Sequence, residues 1–163
     1  MNPEIKELPE LKVLYSSVNN ATKYAVSQPK NIELFDQFRA YMDQHGLWHK
    51  TSQYMTIYPN ESILNQEMKF DMGSIFLRES DEVITAEEGD YQNFRTVASG
   101  LWAVFTHVGK HETILETWRM ALHEWLPESG YQLRQAIPFE VYIDDPSVVD
   151  ADYLSIKIYI PIV

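Results

Sequence analysis

The order strand, helix, strand, strand can be read twice along this 163-residue chain, and a duplication of that kind restricts the fold more than any single motif. In the first copy, KVLYSSVN (12–19) alternates before Pro29. The segment NIELFDQFRAYMDQHGL then carries Ile32, Phe35, Phe38 and Met42 at helical spacing, with Gly46 as a stop. Two strand-like runs follow, QYMTIY (53–58) and EMKFDMGSIF (67–76), joined through Pro59-Asn60. The second copy runs LWAVFTHV (101–108), ETILETWRMALHEWL with Leu115, Trp118, Leu122 and Trp125 on one face, FEVYI, and LSIKIYIPIV. Ala103 to Gly109 answers to Val13 to Asn19, and Trp118 and Leu122 answer to Phe38 and Met42. Glu140 to Tyr142 answers to Thr56 to Tyr58, so Glu140 is the counterpart of Thr56.

Module one is expected over about 4–76 and module two over about 93–163, within a single domain of residues 1–163. Between them, about 77–92 is an acidic connection holding Glu79, Asp81, Glu82, Glu87, Glu88 and Asp90. Such a like-charge block reads first as a solvated loop, and a short strand is expected after it near Asn93 to Val97. Loops of this length also fold over pockets, and Tyr91, an aromatic among polar residues, is the member expected to reach a ligand.

Composition removes several function classes. Hydrophobic residues make up 45% and aromatics 13%, enough for a real core. With 24 acidic against 13 basic side chains the formal net charge is −11, a field that repels phosphate backbones, so direct nucleic-acid binding is not expected. The absence of cysteine excludes disulfides, thiolate nucleophiles and Cys-based metal sites. No signal-like segment or long apolar run occurs, so a cytoplasmic location and no membrane partner are expected.

The order and spacing of GLWAVFTHVGKH, the Trp118 helix, PFEVYIDDP and the terminal IKIYIPIV resemble the GyrI-like family, which also supplies the effector-binding domains of AraC-type and MerR-type multidrug regulators. The opening EIKELPELKVLY extends the resemblance over nearly the whole chain. It implies an α+β fold of two βαββ modules about a pseudo-two-fold axis, with antiparallel sheets, helices on one side and a ligand cleft between the modules. It also implies binding of lipophilic, cationic compounds between aromatic rings, with a buried glutamate on a strand of the second module. Glu140 stands at that glutamate's position. Unlike the regulator members, this sequence shows no basic helix-turn-helix segment before the domain, which points to a free-standing binder or an excised domain, working with a separate regulator or as a homo-oligomer.

Strand alternation supports the glutamate independently. Val141 and Ile143 are expected to face the helices, and Glu140 and Tyr142 the cleft. An unpaired carboxylate on an interior face costs several kcal/mol to desolvate, so it is retained only if protonated, paired or functional. A cationic ligand is one partner, and Lys157 on the neighbouring strand is another. Trp102, Tyr58, Tyr91, Tyr142 and Phe139 are the candidate ring contacts, with ordinary core packing as the competing role for each. Trp118 is a further candidate whose helix face points to core.

Other chemistry is weaker. His45/His49 and His107/His111 are each four apart, but Gly46 and Gly109 interrupt the helical geometry that would join them, so no metal is expected. No phosphate loop, dinucleotide fingerprint or nucleophile elbow occurs, and no cofactor is expected. Two alternatives remain. One is hydrolysis of electrophilic small molecules with Glu140 as general base and Tyr142 orienting or protonating the leaving atom. The other is a gyrase-inhibitor-like interaction role for the acidic surface.

Overall fold

The structure, a computed structural model, describes residues 2–17, 40, 43–44, 51–57, 71–76, 93–110, 113–144 and 148–163. Eight strands run through them: β1 (Glu4–Leu8), β2 (Leu11–Ser17), β3 (Thr51–Ile57), β4 (Asp71–Phe76), β5 (Asn93–Val97), β6 (Gly100–Val108), β7 (Phe139–Tyr142) and β8 (Ser155–Ile162). All pairings are antiparallel, and the strands form one sheet in the order β1-β6-β8-β7-β3-β4-β2-β5. The described strands thus make a single sheet where separate sheets were expected. The fold class, mixed helix and antiparallel sheet, is as read from the sequence.

Connectivity forces this sheet to curl. β1 lies at one edge and β2 beside the other, six strand steps away, which in a flat sheet is about 29 Å at about 4.8 Å per step. Only Pro9 and Glu10 join them, a link of about 11 Å at most from Leu8 to Leu11. The same constraint applies between β5 and β6, joined by Ala98 and Ser99. The two ends of the sheet are therefore drawn together. The side chains agree, because Leu8 and Leu11 pack on one apolar cluster with Val97, Trp102, Val104, Phe139 and Val141. That cluster, drawn from both ends, lines the inside of the curl and is completed by Tyr159, Ala136 and Ile137.

The other face carries the helical layer. Helix α1 (Ile114–Met120) continues through a π-helical turn (Ala121–Trp125) into α2 (Leu126–Ser129) and ends where Gly130 adopts the left-handed conformation, φ 80°. The wide turn has a cause in the sequence. In a regular helix the Pro127 ring would collide with the carbonyl of His123, whereas here the Leu126 N–H donates to Ala121 O and the chain passes that point with a larger radius. Ile114, Thr117 and Trp118 turn inward. Phe105 on β6 meets Trp125 edge-on at 5.3 Å, and the buried His107 ring ties α1 to β6. Its Nε2–H donates to Lys110 O at 3.1 Å, which leaves Nδ1 to accept from the Thr117 hydroxyl at 2.8 Å. His107 is thus occupied structurally.

Burial on both faces of β6 reflects these two layers: Trp102 and Val104 look into the curl, and Ala103, Phe105 and His107 toward the helices. On β8, Ile156, Ile158 and Ile160 are buried with them. Of the first-module helix read over NIELFDQFRAYMDQHGL, only residues 40 and 43–44 are described, and they are helical. The remainder, with the acidic connection of about 77–92, lies outside the described residues.

Candidate functional site

β7 is four residues long and lies between β8 and β3 near the middle of the sheet order. Its register places Glu140 across from Ile158 on one side and Thr56 on the other. Directly paired residues share a face, so Glu140 shares the face of Ile158 and Phe105, the one under the helices. There Glu140 is fully buried, and the Trp118 indole Nε1–H donates to its Oε1 at 2.6 Å. A buried hydrogen bond of this kind contributes roughly 0.5 to 1.5 kcal/mol and offsets part of the cost of taking the carboxyl group out of water.

This geometry reverses one expectation. The alternation of β7 holds, but Glu140 faces the helical layer and Val141 faces the inside of the curl. Alternation fixes only that the two residues differ in face; the position of Trp118 decides which is which. Lys157 is also displaced as a partner, because it lies across from Val141 and so belongs to the face opposite Glu140.

The sheet divides the candidate residues into two groups. Glu140 and Trp118 are joined directly, and half-buried Tyr142, two residues on, shares their face across from Ile156. Trp102 and Phe139 lie on the other face, where their rings meet edge-on at 5.1 Å and Phe139 stacks on Tyr159 at 4.5 Å. Tyr58 and Tyr91 lie outside the described residues.

Two residues near Trp102 escaped the reading of the sequence. Tyr159, from β8, stands 6.4 Å from the Trp102 ring, and burial pushes its phenol above the usual tyrosine range, with Lys6 lowering it and Glu4 raising it. Its alternation with Ile158 and Ile160 was the available signal. Arg134 lies over the Trp102 ring with its guanidinium carbon 5.0 Å from the centroid. It comes from a loop-like stretch whose lone bridge, Leu133 with Ile162, depends on tertiary pairing.

Among the described residues no helix is long and apolar enough to cross a membrane. The sequence matches the family described as GyrI-like small molecule binding domain over residues 1–163. No curated protein matches it. Among solved structures, the EcmrR C-terminal domain is similar at 16% identity, TM-score 0.71, over 98% of this chain and 96% of that one. The chain spans 56% of EcmrR as seen in an EcmrR–DNA complex, TM-score 0.68. A hydrolase from Listeria innocua is similar at 11% identity, TM-score 0.63, over 99% and 92% of the two chains. SAV2435 bound to tetraphenylphosphonium is similar at 14% identity, TM-score 0.58, over 100% and 94%. At these identities the structural likenesses establish the fold, and the match over the full length of the sequence establishes that this chain belongs to the GyrI-like small-molecule-binding family.

Proposed function

We propose that the chain acts as an effector-binding domain of transcription-regulator type, taking lipophilic, cationic aromatic compounds at Glu140. The observation that carries this reading is a fully buried carboxylate at the centre of the sheet order, held by an indole from the layer above it. A cation brought within about 4 Å of that carboxylate gains roughly 4 kcal/mol at an effective dielectric near 20, before desolvation. The face of Trp118 offers a further 0.5 to 2 kcal/mol or so. Glu140 thus selects charge, and Trp118 and Tyr142, with Tyr58 and Tyr91 from segments outside the described residues, supply apolar area. SAV2435 in complex with tetraphenylphosphonium supports the ligand class, and EcmrR in a complex with DNA supports the regulatory setting.

The ligand cleft belongs to a two-module architecture in this reading. The strand order is symmetric about the β7–β3 pair, with β8 matching β4, β6 matching β2 and β1 matching β5. The counterparts Thr56 and Glu140 are direct cross-strand neighbours, as residues on a two-fold axis would be. In this reading the axis passes between them and brings both modules to one carboxylate.

A crystal structure with tetraphenylphosphonium tests the site. The phosphonium centre is expected over the Glu140 carboxylate on the helical face. Its placement on the Trp102 face, or nowhere in the domain, would overturn the assignment. Hydrolysis is the second reading, favoured by the Listeria innocua hydrolase and by Glu140 and Tyr142 sharing a face. It requires catalytic consumption of an electrophilic substrate that stops in Glu140→Gln.

A further inference from the structure

Inside the curl, on the face away from Glu140, the Arg134 guanidinium lies over the Trp102 ring, and each side chain has an N–H donor without an acceptor. Trp102 Nε1 and Arg134 Nε are both shut off from solvent and neither makes a hydrogen bond. Trp102 is 0% exposed, so its unpaired indole forfeits roughly what a buried hydrogen bond contributes. Arg134 makes one long contact, from Nη2 to Leu101 O at 3.4 Å, and has no ion-pair partner among the described residues. An arginine without a carboxylate is unexpected in a chain of net charge −11.

Gly100 lets the guanidinium approach closely. Gly100 adopts φ 146°, and a Cβ there would lie 2.7 Å from the Arg134 guanidinium carbon, so a side chain at this position would displace the guanidinium from its place over the indole. Arg134 is itself fixed from behind, its N–H donating to Pro161 O at 3.0 Å. Around the donors the lining is apolar: Phe139 and Tyr159 pack edge-on against Trp102, beside Val104. Lys6, across from Trp102 on β1, is already paired with Glu4 at 3.3 Å.

We propose that Trp102 and Arg134 form a second binding site, for a carboxylate carried on a small apolar or aromatic body. The carboxylate accepts from the indole N–H and the guanidinium while the body packs on the Phe139 and Tyr159 rings. Half-buried Arg134 is the side chain that moves to admit it. An arginine suits this role because its planar donors match the two carboxylate oxygens. The site is independent of Glu140 and of opposite charge preference.

The test uses the full chain, labelled with ¹⁵N, titrated with acetate, benzoate and 2-naphthoate and with the three corresponding amides. Four indole N–H resonances are available, one per tryptophan, and Trp102→Phe identifies one of them by its loss. We expect the aromatic carboxylates to move the Trp102 resonance, the amides to leave it in place, and Arg134→Met to weaken carboxylate binding about tenfold or more. Glu140→Gln should leave that binding unchanged, which separates this site from the cation site. Failure of every carboxylate to move the Trp102 resonance would overturn the proposal, as would equal binding of acids and amides, or unchanged affinity in Arg134→Met. If Trp102→Phe does not fold, triple-resonance assignment identifies the signal and Arg134→Met decides.

Discussion

The Trp118 indole donates its N–H to the Glu140 carboxyl group across 2.6 Å, and this bond joins the helical layer to β7, four residues long. Strand β7 contributes only four residues, so its side chains carry much of its attachment to the helices. Trp118→Phe keeps the ring and removes the donor. It should cost about 1 to 3 kcal/mol of unfolding free energy, measured by urea denaturation, because a buried carboxylate loses a hydrogen bond.

Gly100 and Arg134 are coupled sterically. Gly100→Ala must accommodate both φ 146° and a methyl 2.7 Å from the guanidinium, so a loss of about 1 to 3 kcal/mol is expected. The same change should push Arg134 off the Trp102 ring and alter tryptophan fluorescence. Arg134→Met combined with Gly100→Ala should recover part of the loss, since the Arg134 contact is then removed and only backbone strain remains.

Tyr159 sets an alkaline limit. Burial raises its phenol above the unfolded value of 10.0, so the native state holds this proton more tightly than the unfolded chain. The associated stability is fully present below pH 10 and is lost as pH rises through the folded value. Tyr159→Phe lacks this component, so the stability difference between the two proteins should shift in favour of the variant above about pH 10. Parallel pH–stability curves across that window would contradict the assignment.

Much of this arrangement can be read from particular residues. Strands at LWAVFTHV, FEVYI and LSIKIYIPIV are marked by alternation and turn residues, and the helix by Leu115, Trp118, Leu122 and Trp125. The burial of Glu140 follows from its place between Phe139 and Val141. The face it occupies does not, because apolar residues lie on both faces of β7 and the same alternation fits either sense. Lys157 was a plausible partner until register set it across from Val141, and register is a tertiary property. Strand β1, EIKEL, has three charged residues among its five, a composition suited to an edge strand, and its pairing with β6 depends on tertiary register. The π-helical turn left one trace in the sequence, Pro127 inside an otherwise helical pattern.

Selection of cationic ligands by Glu140 is open to isothermal titration of wild type and Glu140→Gln with tetraphenylphosphonium and with neutral triphenylphosphine oxide. The amide is nearly isosteric with the carboxylate, and its carbonyl can still accept from the Trp118 indole, so the fold is expected to survive. Glu140→Gln should weaken binding of the phosphonium by about 1 to 3 kcal/mol and leave that of the phosphine oxide nearly unchanged. Equal weakening of the two compounds, or none of either, would contradict it.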